Sequence, residues 1–214
     1  MLTVKGLTKS FGGVKAVDGA SMEVAPGNSV VILGPSGSGK TTLLRLIAGL
    51  DIPDNGEVLI EGKLASSPTY ILPPYKRNLG FVFQSPALWP HMTVAQNILF
   101  GLDGLPRGDA KQRLAELSEM LFLKEFINRY PHEVSGGEAR RASIARTLAP
   151  KPRYLLMDEP LTNLDEDLRK KILRIVLENV IKTGAALIYV THQADETTIV
   201  SNHVLKMDRG RLES

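Results

Sequence analysis

Apolar runs along the chain are short, and each stops at a turn residue or a charge. Val30-Val31-Ile32-Leu33 is uniformly apolar and ends at Gly34, the pattern of a strand covered on both faces. From Thr41 to Leu50 the spacing becomes helical, with Leu43, Leu46, Ile47 and Leu50 on one face. Glu57 to Glu61 and Gly80 to Phe83 read as further strands. Ahead of them, short β-type runs alternate with the turns Phe11-Gly12-Gly13 and Ala25-Pro26-Gly27. Between Ser85 and Pro150 helical patterns dominate, and Asp109 with Gln112 makes a capping-box variant ahead of Leu114, Leu117 and Leu121. Strand signals return at Tyr154 to Met157, which runs into Asp158-Glu159. They recur at Ala186 to Val190, which runs into Thr191-His192, with a helix over Asp167 to Lys182 between the two. His203 to Met207 and the turn Asp208-Arg209-Gly210 close the series. Buried strands alternating with helices predict an α/β fold with a mostly parallel sheet. Residues 1–214 are expected to form one domain, its core over about 1–84 and 151–214 and an inserted helical lobe over about 85–150.

Composition narrows this picture by exclusion. The absence of cysteine rules out disulfides, a thiol nucleophile and thiolate-bound metal. A net charge of +3 is too small a surplus to argue for nucleic acid. The longest strongly apolar runs, such as Ala185 to Val190, fall far short of the roughly 18–20 residues that span a bilayer. Met1-Leu2-Thr3-Val4-Lys5 lacks the apolar stretch of a signal peptide. A folded intracellular protein is expected, meeting a membrane only through a partner.

The chemistry concentrates at three places. Gly34-Pro35-Ser36-Gly37-Ser38-Gly39-Lys40-Thr41 fits the phosphate-loop pattern and, with Thr42, leads from a predicted strand into a predicted helix, the context that motif requires. Its glycines let backbone N–H groups converge on phosphates at the positive end of the helix. Lys40 is expected to reach the β- and γ-phosphates of a nucleotide, and the Thr41 hydroxyl to bind Mg²⁺. The apolar run ending in Asp158-Glu159 delivers two carboxylates to the edge of the sheet where ligands of open α/β folds bind. Asp158 suits Mg²⁺, and Glu159, one residue on, suits the activation of water. Ser135 with Glu138 three residues later is a capping box that opens a helix through Ile144 and Leu148, and Gly136-Gly137 leave its first N–H groups bare.

Val134-Ser135-Gly136-Gly137-Glu138-Ala139-Arg140-Arg141 resembles the signature motif of the ATP-binding cassette (ABC) ATPases. The resemblance covers nearly the whole chain: phosphate loop, Gln84 after an apolar strand, signature, carboxylate strand, Leu164-Asp165 turn and His192, in the family's order. It implies a P-loop core with an N-terminal antiparallel β region and a helical lobe. It also implies ATP and Mg²⁺ as ligands, and hydrolysis of ATP to ADP and phosphate coupled to transport. By the same resemblance Gln84 touches Mg²⁺ and the attacking water, His192 senses the γ-phosphate, Phe11 stacks on adenine and Asp165 lies at a dimer seam. Two ATPase subunits, identical or related, would pack head to tail, each nucleotide lying between Lys40 of one and Ser135, Gly136 and Gly137 of the other. Phe11 and His192 taken alone also fit core and structural roles.

Val134, Glu138 and Thr162-Asn163 depart from the commonest family residues. Glu138 would repel a γ-phosphate, so it is expected to turn back onto the cap. Ser85 to Met92, which holds the only Trp, is either core or an exposed groove. In ABC importers the matching surface receives a helix of an integral membrane permease, so docking near Ala87 to Met92 and a place at the cytoplasmic face of the membrane are implied. The segment is similar to importers of the sugar, polyamine, ferric-iron and molybdate group, many of which carry an extra C-terminal regulatory domain; none is expected within these 214 residues. No direct nucleic-acid contact is expected. The alternatives are a soluble ABC ATPase acting as a nucleotide-gated module on DNA or ribosomes, and a small-molecule P-loop kinase.

Overall fold

The computed structural model describes residues 1–162 and 164–213; Asn163 and Ser214 lie outside the described residues. Strands β1 (Leu2–Phe11) and β2 (Val14–Val24) form a hairpin turning on Gly12 and Gly13, whose φ angles of +55° and +83° suit glycine. Next come β3 (Ser29–Leu33), α1 (Lys40–Ala48), β4 (Asn55–Ile60), β5 (Lys63–Ser67), β6 (Tyr70–Ile71) and β7 (Leu79–Val82). Helices α2 (Val94–Phe100), α3 (Arg107–Met120) and α4 (Gly136–Leu148) fill the middle. The chain closes with β8 (Tyr154–Asp158), α5 (Glu166–Thr183), β9 (Ala186–Thr191), α6 (Ala194–Val200), β10 (Val204–Asp208) and β11 (Arg211–Glu213).

Contacts divide these elements into two units. One comprises Met1–Phe81, Arg153–Glu159 and Thr183–Ser214; the other comprises Val82–Pro152 and Pro160–Lys182. The sequence pattern counts residues 160–182 with the core, whereas their contacts group them with the helices of the second unit.

The first unit holds both sheets apart from Val82, the last residue of β7. A five-stranded sheet runs β2-β1-β4-β5-β6, antiparallel throughout, and a six-stranded sheet runs β11-β10-β3-β9-β8-β7. Strands β10, β3, β9 and β8 are mutually parallel, as their uniformly apolar sequences predict. Alternate residues of this sheet (Val30 and Ile32, Tyr154 and Leu156, Ile188 and Val190) share a core with Leu2, Val4 and Leu7 of β1 and with α1. Leu43, Leu44, Leu46 and Ile47 of α1 are fully buried there, worth about 1.5–3 kcal/mol each by area. Strands β5 and β6 were not visible in the hydrophobic pattern, because Lys63-Leu64-Ala65-Ser66-Ser67 is half polar.

In the second unit α2 packs on α3 and α4, burying Val94, Ile98, Leu117, Leu121, Ile144 and Leu148. Helix α3 begins at Arg107, after Pro106, and no side chain caps it. The capping box expected at Asp109 therefore does not form: Asp109 falls inside the first turn, and Gln112 Nε2 donates to Glu116 Oε1 at 3.3 Å instead. The first helical hydrogen bond already runs from Ala110 N to Pro106 O at 3.1 Å, so the helix is under way before the polar pair could cap it. Among the described residues no helix is long and apolar enough to cross a membrane.

Candidate active site

In the first unit, parallel pairing sets three strand ends level. Leu33 of β3 lies beside Thr191 of β9, and Val190 of β9 beside Asp158 of β8. Gly34, Glu159 and His192, each following one of these strands, therefore emerge at one carboxyl edge of the sheet.

The loop from Gly34 to Gly39 is closed by its own glycines. A methyl group at Gly34 would sit 2.2 Å from Met207 O, and one at Gly39 would sit 2.0 Å from Ala16 O. Gly39 also takes φ +107° as the residue before α1. No side chain caps α1, so its first N–H groups are left to an incoming anion. At the far end Gly49 closes the helix with φ +75°, its N–H pointing back to Arg45 O and Leu46 O.

Lys40 is only 4% exposed. Its Nζ donates to Gly34 O at 2.7 Å and Pro35 O at 2.8 Å, curling the side chain around the loop, and lies 3.9 Å from Glu159 Oε1. Burial pushes the Lys40 amine below its ordinary pKa, while Glu159 and Asp158 pull it back up. Ser38 Oγ is buried in the same loop without a hydrogen-bond partner. A buried hydroxyl without a partner, an uncapped helix start and a cation spanning the loop fit a bound polyphosphate.

Asp158 is 2% exposed at the end of β8. Glu159 follows with φ +43°, a left-handed conformation that costs a non-glycine residue about 1–3 kcal/mol. Its N–H donates to Val190 O at 2.9 Å, fixing the turn. Its carboxylate faces Lys40 on one side and His192 Nδ1 on the other, the latter 3.1 Å from Oε2. Thr41, exposed in the first turn of α1, and Asp158 offer hard oxygen donors. Among the described residues no cluster of three or more His, Asp or Glu could cage a metal. Such a donor set fits Mg²⁺, which takes few protein oxygens and keeps waters. A cleft of about 340 Å³ lined by Gly34, Pro35, His192 and Met207 opens beside the loop.

Phe11 ends β1 with its ring 53% exposed, out of the core, and Lys9 Nζ lies 5.6 Å from the ring centroid.

The second unit carries the remaining sequence-predicted residues. Ser135 caps α4: its Oγ accepts from Glu138 N at 3.3 Å, and Glu138 Oε2 accepts from Ser135 N at 2.8 Å. Glu138 thus turns back onto the cap, as expected. Gly136 has open space where a Cβ would lie, whereas a Cβ at Gly137 would lie 3.1 Å from Leu164 Cδ2. Asp165 Oδ1 accepts from Leu168 N at 2.9 Å at the start of α5. Gln84 is exposed just beyond β7. Trp89 is 45% exposed and Phe100 56% exposed, their rings 5.9 Å apart, so the Trp segment presents an aromatic surface. Asn97, fully buried, holds that segment: its Oδ1 accepts from Trp89 N, and its Nδ2 donates to Trp89 O, Met92 O and Thr93 O.

Sequence reasoning missed Asn97, Arg140 and Arg146, whose partners lie far away along the chain or on main-chain atoms that no pattern marks. It also missed Arg77, fully buried, which donates to Leu72 O, Ile47 O, Ala65 O and Ser66 Oγ. Burial lowers the Arg77 pKa to about 10.

The phosphate loop, the carboxylate strand and the capped glycine-rich helix agree with what a family comparison finds over residues 17–162. The chain belongs to the ABC transporter family. It is 46% identical over 216 residues to the spermidine/putrescine import ATP-binding protein PotA of Nitrosospira multiformis, covering 100% of this chain and 58% of that protein. It is 43% identical to the sulfate/thiosulfate import ATP-binding protein CysA of Thermosynechococcus vestitus, covering 99% of this chain and 62% of that protein. The chain thus spans about three fifths of the length of these curated relatives. Its fold is that of a solved dimeric ATP-binding cassette in a post-hydrolysis state bound to ADP and Pi: the TM-score is 0.89 at 29% identity, over 100% of this chain and 97% of that one. Two sheets with a helical unit are the ABC ATPase fold.

Proposed function

We propose that this chain binds and hydrolyses ATP to drive solute import as the cassette of an ABC transporter. The observation that carries the reading is the alignment of Glu159 between Lys40 and His192 at the mouth of an uncapped phosphate loop. Loop N–H groups and Lys40 hold the β- and γ-phosphates, where fixed donors stabilise charge as it develops. Glu159 accepts a proton as a water oxygen attacks the γ-phosphorus; the bond to the β–γ bridging oxygen breaks, and ADP and phosphate leave. His192 orients the Glu159 carboxylate through its Nδ1 contact. Thr41 and Asp158 would hold the Mg²⁺ that accompanies ATP, which would neutralise phosphate charge. Phe11 offers a face for adenine, and the exposure of its ring supports that role.

The family order supports a contact of Gln84 with Mg²⁺ and the attacking water. It also supports a second subunit whose Ser135, Gly136 and Gly137 complete each site. The exposed Trp89 and Phe100 rings support docking of a membrane permease near Ala87 to Met92, which would hold the chain at the cytoplasmic face of the membrane. The polyamine and sulfate relatives are import ATP-binding proteins, which supports import here. No observation favours the DNA, ribosome or kinase alternatives.

Glu159→Gln tests the reading. Turnover is expected to fall about 10²–10⁴-fold, the range for loss of a general base, while ATP remains bound and the protein becomes dimeric by light scattering. A Glu159→Gln protein that turns over ATP at the wild-type rate overturns the catalytic assignment.

A further inference from the structure

Helix α4 grips the segment that follows β7. Arg140, five residues after Ser135 and 5% exposed, donates from Nη1 to Phe83 O at 2.8 Å and from Nη2 to Gln84 O. The same Nη2 lies 3.4 Å from Thr162 Oγ1. Further along the helix, Arg146 donates to Ala87 O at 2.8 Å and Pro86 O at 3.3 Å. All of these residues lie in the second unit. A guanidinium is a planar fork of fixed donors, so two nitrogens engaged on successive carbonyls fix the direction of that main chain as well as its position. A lysine offers one point charge and cannot do this. The Gln84 side chain itself is exposed; what is fixed is the backbone it hangs from.

We propose that Arg140 is a positioning residue for ATP hydrolysis: it ties the Gln84 main chain to the helix that begins at Ser135, so that Gln84 and the signature start act as one rigid piece. The inference rests on the ATPase reading above and on Gln84 acting in it. Without the fork the Gln84 backbone gains freedom, while the loop that holds the nucleotide, in the first unit, keeps every contact described for it.

The test is a double-mutant cycle in the full chain with Arg140→Ala, Gln84→Ala and the pair, measured as kcat and KM for ATP, with single-turnover rates where steady state is too slow. Arg140→Ala is expected to lower kcat about 10- to 100-fold, the cost of a small misplacement, with KM within about twofold. In the Gln84→Ala background the same substitution is expected to add less than about twofold, because both act through one side chain. Arg140→Lys is expected to recover only part of the rate. Should Arg140→Ala lower the melting temperature, the cycle is run with Arg140→Lys against Gln84→Ala. An Arg140 variant with wild-type kcat, a rise in KM equal to the fall in kcat/KM, or an undiminished effect in the Gln84→Ala background overturns the inference and leaves the ATPase reading standing. A wild-type chain that hydrolyses no ATP overturns both.

Discussion

Two helix starts in this protein face the same electrostatic problem and solve it differently. Both α1 and α4 present unpaired N–H groups at the positive end of a helix, and both are preceded or opened by glycine. At α1 no side chain answers those groups; Gly39 adopts φ +107° and Lys40 folds back over two loop carbonyls. At α4 the sequence answers them itself, with the Ser135 hydroxyl on Glu138 N and the Glu138 carboxylate on Ser135 N. The open end is built to be completed by a ligand. The capped end stands folded without one, as its proposed role beside a nucleotide held by a second subunit requires.

Paired glycine substitutions probe the difference most forcefully. Gly39→Ala forces a Cβ against Ala16 O in a disfavoured backbone conformation, so a loss of more than about 3 kcal/mol in unfolding free energy is expected, with loss of nucleotide binding. Gly136→Ala meets nothing within 4 Å, and its stability is expected to stay within about 1 kcal/mol of wild type. Urea titration of both variants checks this; equal losses would mean that the two helix starts are equally constrained.

Lys40→Met separates binding from folding at the open end. The amine is nearly buried and burial disfavours its charge, which offsets part of the cost of removing the donor from Gly34 O and Pro35 O, so an apolar side chain of similar length is expected to lower the melting temperature by only a few degrees. Affinity for ATP, followed with a fluorescent nucleotide, is expected to fall about 100-fold, or roughly 2.7 kcal/mol. A variant that binds ATP normally would show that the N–H groups of α1 suffice without the cation.

What the sequence made legible follows from how local each feature is. The strand–turn–helix through Gly34 to Thr41, the strand end at Asp158 and the Ser135–Glu138 cap are each written within a few residues, and the structure has that local geometry. The convergence of Glu159 with Lys40 and His192 depends on strand order, with β9 lying between β3 and β8, which the pattern implied only through the parallel sheet. The grip of Arg140 on Phe83 and Gln84 was not legible, because its acceptors are main-chain oxygens 57 and 56 residues away. Helix α3 shows the reverse case: a local polar pair has the spacing of a cap, but the helix already begins at Arg107.

The smallest expected effect distinguishes a cap from an anion ligand at α4. In Glu138→Gln the amide oxygen can still accept from Ser135 N, so the reciprocal bond survives and only the negative charge is lost. That charge favours the helix dipole by about 0.3–1 kcal/mol, so a drop of no more than about 2–4 °C in melting temperature is expected. Removing it also eases the approach of phosphate to Ser135 and Gly136, but the carboxylate is already turned onto its own cap, so turnover is expected to rise by less than about threefold. Glu138→Ala, which deletes the acceptor as well, is expected to destabilise α4 by about 1 kcal/mol. If Glu138→Gln instead raised turnover tenfold or more, the carboxylate would have to leave Ser135 N in the working assembly and face the nucleotide. The capped end would then be a gate that its own charge holds shut, and the contrast with the open loop at α1 would be one of regulation rather than of construction.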